Sequence, residues 1–400
     1  MKKLLFILMA GMLAYSCTYP FTPEIPDLEE RLVIEGDILI GAKTRINVSY
    51  LMALDAPKDS ETQPSATVYV EDSKGNTYPA VRTVEYVGVH NKEKVVYIAD
   101  TKDAPEDLEY RLVVRNNENG RRYSTPFQPV QQAPVIDSLS YMINAPRTEL
   151  DITISLTSPE NQKYYRWTFT EEWEYNSVYY ADVYAVPGRT TEEPVEIINF
   201  PIEGIGENYY HCWNNSVSDG ILLGTVEGLT SNKLVNHKFA KIKSTETKLN
   251  YIYRMTVTLQ SISQAGYEYW SNLDIISNNP GQLDAPNPSE MVGNIVCDDD
   301  PKEYVIGFIN VSGTSVARRY LFNDDISFYD GTEDRELSGL EEVQPDRYNE
   351  FYYDSYYRPV YWGYSIAGRV LMWGHARCVD CRLKGGSKEK RPDDWINNDR

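Results

Sequence analysis

Residues 251–259 of the chain read YIYRMTVTL. Five apolar side chains occupy the alternate positions from Tyr251 to Leu259, and three of the four positions between them are polar or charged. A period of two is the pattern of a β-strand that buries one side and exposes the other. We therefore expect a long, half-buried strand here, within a β-rich domain.

A helical pattern follows this strand directly. Ser261 and Gln264 have the spacing of a capping box, in which each side chain bonds a backbone N–H of the first helical turn. The apolar residues of this segment recur every three or four positions, at Ile262, Ala265, Tyr269, Leu273 and Ile276. The sequence therefore predicts a packed helix after the strand.

Towards the N-terminus the same alternation recurs in shorter segments. Its apolar positions are Leu32, Ile34, Ile46, Val48, Tyr50, Val68, Val70, Tyr110, Leu112 and Val114. Residues 72–76 and 116–120 are rich in Asp, Asn and Gly, which accept the backbone angles of tight turns. We predict that residues 31–133 form an immunoglobulin-like β-sandwich.

A linker is predicted between Ser124 and Pro134, a stretch with three prolines and three glutamines. Alternating patterns resume beyond it, for example at Ile152, Ile154 and Leu156. The predicted fold class is therefore mainly β. Residues 134–400 are expected to form a larger β-rich domain, with at least one short packed helix and a C-terminal tail that contains a Cys-x-x-Cys motif.

The composition excludes two classes of protein. The chain has 400 residues, 42% of them hydrophobic, which is enough to bury a core in two or three domains and argues against disorder. Its formal charge of −20 repels a phosphate backbone, so nucleic acid is not an expected partner. The 32 tyrosines favour strands and amphipathic surfaces.

The N-terminal residues predict export and lipidation. Lys2 and Lys3 precede an apolar run of eleven residues, which is the size of a signal-peptide core and too short to span a bilayer. The run leads into residues 13–17, LAYSC, which resemble a lipobox. We predict a signal peptide over residues 1–16, a diacylated N-terminal Cys17, and a proline-rich tether over residues 17–30.

Motifs spread along nearly the whole chain resemble those of one family. They are Cys17 with Pro20-Phe21, Val33-Ile34-Glu35-Gly36, Tyr164-Tyr165-Arg166-Trp167, Cys212-Trp213, Ser261-Ile262-Ser263 with Tyr269-Trp270, Gly293-Asn294-Ile295, Gly307-Phe308, Cys378-x-Asp380-Cys381-Arg382, Gly385-Gly386, Pro392 and Trp395. The chain resembles Bacteroidota-type outer-membrane lipoproteins of unassigned function, often encoded beside a TonB-dependent receptor. The resemblance implies a location and a genomic neighbour, and it provides no known activity that could be assigned to residues of this chain.

Four cysteines remain after Cys17, and export favours disulfide bonds between them. We predict a disulfide between Cys378 and Cys381, with Cys212 and Cys297 either paired or buried separately. Two alternatives stay open for the Cys-x-x-Cys motif. One is a metal site that includes His375 and either His211 or Cys212, and the other is redox chemistry.

A tyrosine-rich run lies near the C-terminus and is a candidate surface for a partner or ligand. Its members are Tyr348, Tyr352, Tyr353, Tyr356, Tyr357, Arg358, Tyr361, Trp362 and Tyr364. Such rings bury a large area at small entropic cost, although tyrosine is also a common strand residue in a core. A second aromatic enrichment comprises Tyr179, Tyr180, Tyr184, Tyr209, Tyr210 and Trp213, and the same two interpretations apply to it.

No nucleophile elbow, zinc-protease motif, Walker loop or dinucleotide fingerprint occurs in the sequence. We therefore expect no catalytic residues, metal or cofactor, although a glycan hydrolase needs only two carboxylates and stays an alternative. Asp137-Ser138-Leu139 resembles an acceptor for O-glycosylation on exported proteins of this bacterial group, which makes Ser138 a candidate modification site.

The leading functional hypothesis is a non-catalytic lipoprotein anchored in the outer membrane. The sequence favours the cell surface over the periplasmic face as its location. It would assist a TonB-dependent receptor by capturing a nutrient, gating the receptor or stabilising the complex. A free-standing adhesin or glycan-binding lipoprotein, with a glycan or peptide ligand, is the second hypothesis, and a glycan hydrolase is the third.

Overall fold

The structure is a computed structural model, and it describes residues 31–51, 63–87, 92–202, 208–278, 293–366, 368–384, 391–392 and 394–396. The predicted signal peptide (1–16), Cys17 and the tether (17–30) lie outside the described residues. The prediction of a mainly β fold with a packed helix is confirmed. Among the described residues, no helix is long and apolar enough to cross a membrane.

Two layers of short strands form the N-terminal part. The strands are β1 (Leu32–Ile40), β2 (Lys43–Tyr50), β3 (Ala66–Asp72), β4 (Thr77–Val87), β5 (Lys92–Asp100), β6 (Glu109–Asn116), β7 (Arg122–Ser124) and β8 (Gln128–Pro129). Strand β4 joins the layers, because its first residues pair with β3 and its remaining residues pair with β5. Apolar side chains from both layers, among them Ile34, Val70 and Leu112, share one buried core.

The two predicted hairpin turns are confirmed. Asp72 accepts backbone hydrogen bonds from Lys74 and Asn76 through Oδ1, at 3.0 and 2.9 Å. The turn between β3 and β4 also needs the left-handed backbone of Gly75, with φ of +87°. Gly120 has the same role between β6 and β7, with φ of +76°.

The described residues of the C-terminal part form fourteen further strands. They are β9 (Val135–Ile143), β10 (Glu149–Thr157), β11 (Tyr164–Asn176), β12 (Val183–Val186), β13 (Glu196–Asn199), β14 (His211–Val217), β15 (Leu222–Thr225), β16 (Lys233–Lys243), β17 (Ile252–Ile262), β18 (Val296–Cys297), β19 (Val311–Phe322), β20 (Leu340–Val343), β21 (Tyr357–Ser365) and β22 (Gly368–His375). The α-helices are α1 (Gln264–Asn278), α2 (Asn323–Ile326), α3 (Thr332–Glu336) and α4 (Ala376–Val379). Single helical turns occur at Thr247–Leu249, Pro345–Arg347, Glu350–Asp354 and Cys381–Lys384.

These strands build two packed units. Sheet β14-β11-β17-β19 packs on the smaller sheet β16-β10-β9, and Leu150, Trp167 and Met255 lie in the core they share. The last sheet, β20-β22-β21, shares a different core with the ribbon β12–β13, around the fully buried Trp373. The predicted strand 251–259 is β17, and it lies between β11 and β19.

The N-terminal sandwich includes residues from beyond the predicted boundary at 133/134. Strand β1 pairs in parallel with β19, with Ile38 opposite Val311, and β18 pairs with β7. Ile295, Cys297 and Ile309 are buried in the N-terminal core. The position of a domain boundary at 133/134 stays a prediction. Residues 295–311, which follow that boundary in sequence, pack with the N-terminal part. Parallel pairing of distant segments leaves no local sequence pattern, so the sequence did not indicate it.

A buried polar network joins the two parts. Asp37 of β1 accepts hydrogen bonds from Arg166 Nη1 at 2.9 Å and from Gln260 Nε2 at 2.5 Å through Oδ2. Its Oδ1 accepts from the backbone and side-chain N–H of Asn310, both at 3.0 Å. The Arg166 guanidinium carbon lies 3.8 Å from the centroid of the Trp270 ring of α1. Every acceptor position of this buried carboxylate therefore faces a donor.

The capping box predicted at Ser261 is wrong, because the helix begins two residues later. Ser263 caps α1, and its Oγ accepts a hydrogen bond from Gly266 N–H at 3.0 Å. Ser261 is the penultimate residue of β17, is fully buried, and donates to the carbonyl of Gln132 at 2.6 Å. The predicted apolar face of the helix is confirmed for Tyr269, Leu273 and Ile276.

Candidate functional site

The ribbon β12–β13 and the sheet β20-β22-β21 bring the two tyrosine-rich segments together. Val183 and Ala185 of the ribbon contact the same core as Tyr348, Phe351 and Trp373. The ribbon runs along the outer edge of β21, where Asp182 N–H donates to Val360 O at 2.7 Å. Segments separated by more than 160 residues of chain therefore form one module.

The predicted tyrosine run divides between core and surface. Tyr348 is buried, and Tyr352, Tyr353, Tyr357 and Trp362 are half-buried against the core around Trp373. The exposed members are Tyr356 (44%), Tyr361 (38%) and Tyr364 (86%). We name β21 and β22 together the aromatic hairpin.

The division arises because the run is not one strand. Residues 350–354 form a helical turn, and Tyr356 then adopts a left-handed backbone with φ of +58°. The chain changes direction at this residue and enters β21. As a result, the Arg358 guanidinium lies over the rings of Tyr352 and Tyr356. The sequence prediction assumed that side chains alternate between two faces along the whole run. That alternation begins only at Tyr357, where β21 starts.

A pocket of about 200 Å³ opens between the ribbon and the start of β21. Its residues are Ala181, Val183, Tyr184, Ala185, Phe200, Tyr209, Tyr352, Arg358, Pro359, Val379, Asp380, Arg382 and Leu383. We name it the aromatic pocket. Tyr184, Phe200 and Tyr209 contact one another nearly edge-to-face, with centroids between 5.7 and 6.2 Å apart.

Arg358 is held rigidly at this pocket. Its Nη1 donates to the backbone carbonyls of Tyr352 and Tyr357, at 3.2 and 2.8 Å. Its guanidinium carbon lies 4.0 Å from the Tyr352 centroid and 5.5 Å from the Tyr356 centroid. Within the part of the chain that the structure describes, no carboxylate pairs with Arg358.

A second arginine of the pocket is neutralised. Arg382 donates to the Asp380 carboxylate through Nε at 2.8 Å and through Nη2 at 2.6 Å. Its guanidinium carbon lies 3.3 Å from the centroid of the Tyr209 ring. Arg382 and Asp380 cancel each other, so among the described residues of the lining Arg358 is the cation without a carboxylate partner.

Two tyrosine hydroxyls complete the polar part of the lining. Those of Tyr184 and Tyr352 have no hydrogen-bond partner among the described residues. Burial raises the pKa of Tyr352, and the positive charge of Arg358 opposes that rise. The Tyr352 hydroxyl is therefore protonated at neutral pH and can donate a hydrogen bond to a ligand.

The predicted disulfide between Cys378 and Cys381 is wrong. Cys381 is bonded to Cys212, which is 169 residues away in sequence, and Cys378 and Cys297 are buried free thiols. Cys212 lies in β14 beside the core tyrosine Tyr175, so the bond attaches the C-terminal turn to the larger sheet. A sequence motif shows which cysteines are near each other along the chain, but not which are near in space.

This pairing also bears on the metal alternative. The ligand set considered from sequence needed Cys381 with Cys212 or His211, and the two sulfurs are bonded to each other. No group of three or more His, Cys, Asp or Glu among the described residues is arranged to hold a metal ion.

The disulfide positions one wall of the aromatic pocket. Cys381 lies between Asp380 and Arg382, and its backbone N–H donates to Tyr209 O at 3.0 Å. Both covalent and hydrogen-bond contacts therefore hold this turn against the segment that carries Tyr209.

A family model described as a domain of unknown function, DUF4249, matches residues 18–318. This chain belongs to the DUF4249 family. No curated protein matches the chain. The DUF4249 match ends within β19, so it includes Tyr184, Phe200 and Tyr209 but not Arg358, Asp380 or Arg382. Seven of the thirteen described lining residues of the aromatic pocket therefore lie beyond the DUF4249 match.

The second aromatic enrichment of this DUF4249 protein is only partly at the pocket. Tyr184 and Tyr209 line it, whereas Tyr179 donates its hydroxyl to the Ser338 carbonyl and Tyr180 is exposed. Trp213 stacks against His211 on the outer strand β14, with centroids 6.2 Å apart. The enrichment therefore combines residues with different structural roles.

The candidate modification site Ser138 lies in β9, opposite Ser155 of β10, and its side chain is exposed. Its neighbour Asp137 accepts a hydrogen bond from Thr157 Oγ1 at 2.7 Å. The position is accessible to a modifying enzyme, and the modification itself stays a prediction.

Two buried glutamates of β11 were not singled out from the sequence. Glu171 accepts hydrogen bonds from Ser216, Lys248 and Tyr253, at 2.6, 2.7 and 2.7 Å. Glu174 contacts His211 Nδ1 at 2.7 Å and accepts from Trp395 Nε1 at 2.8 Å. Being three residues apart on one strand, they point to opposite sides of the sheet, unlike a pair that shares one reaction centre.

Proposed function

We propose that this DUF4249 protein is a non-catalytic lipoprotein, anchored to the outer membrane by acyl chains on Cys17, that assists a TonB-dependent receptor. The family resemblance of the sequence supports the location and the partner. The signal-like residues 1–16 and the proline-rich tether support export and lipidation. The proposed location is the cell surface.

The observation that carries the proposal is the exposed end of the aromatic hairpin. Tyr364 is 86% exposed, and Ile366, two residues further on, is also exposed, whereas Tyr361, three residues before Tyr364 on β21, is exposed on the opposite side of the strand. Tyrosine presented on a folded support is a common anchor of protein interfaces, because few rotamers are lost when it is buried. We assign this end of the hairpin as the surface that contacts the receptor.

A pull-down in mild detergent tests the partner. The tagged native chain should retain a β-barrel receptor from its own outer membrane. The double variant Tyr361→Ser/Tyr364→Ser should retain at least tenfold less receptor. A tenfold loss corresponds to about 1.4 kcal/mol of binding free energy. Both side chains are exposed, so the thermal midpoint should move by only a few degrees. Absence of any receptor from the native pull-down would end the accessory proposal.

The matched control is Phe127→Ser. Phe127 is an aromatic residue as exposed as Tyr361, at 37%, but it lies in the N-terminal part. Its replacement should leave receptor recovery unchanged. If both variants lose the receptor equally, the aromatic hairpin is not the contact surface.

Two further experiments test the remaining parts of the proposal. Cys17→Ala should move the protein from the membrane to the soluble fraction, because the acyl chains are the proposed anchor. A turnover screen with glycans and peptides should give no product. Turnover that disappears on replacement of a carboxylate would show that the protein is a hydrolase.

A further inference from the structure

The aromatic pocket combines an apolar wall with a cation and two hydroxyl donors that have no ion-pair or side-chain partner among the described residues. Its volume of about 200 Å³ is slightly larger than the roughly 150 Å³ cavities that hold a benzene molecule, so it fits one six-membered ring with a substituent. Tyr184, Phe200 and Tyr209 provide an apolar aromatic wall. The size and the wall both indicate a compact ring-shaped group.

The charge of the lining indicates an anionic substituent. Arg382 is neutralised by Asp380, which leaves Arg358 as a cation without a carboxylate partner among the described residues. A planar guanidinium binds a carboxylate through two parallel hydrogen bonds, and Nε and Nη2 of Arg358 donate to no group in the described chain. This local positive charge contrasts with the net charge of −20 of the whole chain.

The Arg358 side chain is also held in place before a carboxylate binds. Its Nη1 is fixed by two backbone carbonyls, and its planar group lies over Tyr352. A cation fixed before binding loses little side-chain entropy when a ligand arrives. The hydroxyls of Tyr184 and Tyr352, which lack partners among the described residues, lie in the same lining and supply further donors.

We propose that the aromatic pocket is a binding site for a carboxylate attached to a ring-sized body, with Arg358 as the carboxylate ligand. Two sources have this chemistry: a uronic-acid residue of a glycan, and the free C-terminus of a peptide that ends in an aromatic residue. The inference deepens the proposed accessory role by naming what the protein captures. It is tested on the purified chain without a receptor, so the two proposals can fail separately.

The experiment is calorimetric titration of the purified full chain with two matched pairs of probes. Methyl glucuronoside is compared with the neutral methyl glucoside, and N-acetylphenylalanine is compared with its neutral amide. At least one carboxylate should bind, and its neutral counterpart should bind at least about tenfold more weakly, because the charge-assisted contact is lost. The carboxylate that binds more tightly identifies the source.

The variants separate the pocket from the rest of the module. Arg358→Gln should weaken the preferred carboxylate at least about tenfold, and Arg358→Lys should recover part of the affinity. Tyr184→Phe removes only a hydroxyl that has no partner among the described residues, so it should weaken binding a few-fold without affecting folding. This variant therefore still tests the pocket if Arg358→Gln does not fold. The control is Arg369→Gln, because Arg369 also stacks on an aromatic ring of this sheet, 4.3 Å from the Trp362 centroid, but is outside the pocket.

Four results would overturn the proposal. The first is that neither carboxylate binds the native chain, and the second is that the neutral probes bind equally well. The third is that Arg369→Gln weakens binding as much as Arg358→Gln does. The fourth is that Tyr184→Phe binds like the native chain.

Discussion

Cys378 is a buried thiol three residues before the disulfide-bonded Cys381. Burial raises the pKa of this thiol, so little thiolate is present at neutral pH. Because the thiolate is the species that attacks a disulfide, exchange from Cys212–Cys381 to Cys378–Cys381 should be slow. The free thiol is therefore compatible with a permanent bond between Cys212 and Cys381.

Peptide mapping after alkylation without reduction checks this pairing. Trypsin should release residues 378–382, because Arg377 and Arg382 flank them, linked to the peptide that contains Cys212 and carrying one alkylated cysteine. Closing a separation of 169 residues should stabilise the fold by up to about 5 kcal/mol by the chain-entropy relation. A peptide 378–382 with an internal disulfide would refute the assignment.

Asp37 provides a second prediction for a single residue. Its carboxylate is 7% exposed and pairs with Arg166 across the two parts of the molecule. Removing one partner of a buried pair leaves the other charge uncompensated, so Asp37→Ala should lower the free energy of unfolding by about 3 kcal/mol. The urea midpoint measures this loss.

Asp151→Ala is the control for Asp37→Ala. Asp151 pairs with Lys238, whose side chain is 59% exposed, and such a surface pair should contribute about 0.5 kcal/mol or less. Equal effects of the two substitutions would show that the Asp37 network does not hold the two parts together.

The short segment around Trp395 has its own binding site on the large sheet. Asp394 pairs with the buried Arg254 at 2.9 Å and with Arg318 at 3.2 Å, and Trp395 donates to Glu174 at 2.8 Å. This segment covers the side of β17 on which Arg254 lies. The strand that the sequence indicated as half-exposed is therefore covered on both sides.

The docking of this segment should depend on pH in one direction. Hydrogen bonding to Arg254 lowers the pKa of Asp394 below its ordinary value of 3.8. The ionised form therefore stabilises the docked state above pH 3.8, and this contribution is lost as the pH falls through the lowered pKa. The indole N–H resonance of Trp395, assigned by comparison with Trp395→Phe, should shift on acidification below this value.

Asp394→Asn is the corresponding control, because it removes the titrating group. The variant should show the acid-shifted indole resonance already at neutral pH, with a weaker change on acidification. An unchanged resonance in Asp394→Asn at pH 7 would show that the ion pair does not position the segment.

At the scale of the whole molecule, hydrogen bonding runs without interruption from one part to the other. A single strand path connects β14 at one end to β18 at the other, and it passes from β19 to β1 across the predicted boundary. The segment 295–311 contributes to the N-terminal core although it follows most of the C-terminal strands. The two parts thus depend on each other for buried contacts.

We expect a single cooperative unfolding transition for the full chain. Differential scanning calorimetry should give a van't Hoff enthalpy close to the calorimetric enthalpy, because the N-terminal core includes residues 295–311 and the buried Asp37 network crosses the predicted boundary. Two separated transitions would support a division into independent domains at residue 133.

Local sequence patterns predicted much of the fold of this DUF4249 protein. Alternation predicted β17 and the N-terminal strands, and turn residues such as Gly75 and Gly120 predicted the hairpins, because a period of two and a left-handed backbone are properties of a few adjacent residues. The helix was also predicted, although its cap is Ser263 and not Ser261. The tyrosine run was identified as a candidate surface, and Tyr356, Tyr361 and Tyr364 are exposed.

Contacts between distant segments required the tertiary structure. Cys212 meets Cys381, β1 meets β19, and Tyr184 meets Arg358 at one pocket, and none of these pairs shares a local pattern. Which faces are covered, as for Arg254 beneath Trp395, depends on segments that arrive from elsewhere in the chain. The physical reason is that period and turn propensity are short-range properties, whereas pairing, burial and charge neutralisation depend on residues that folding brings together.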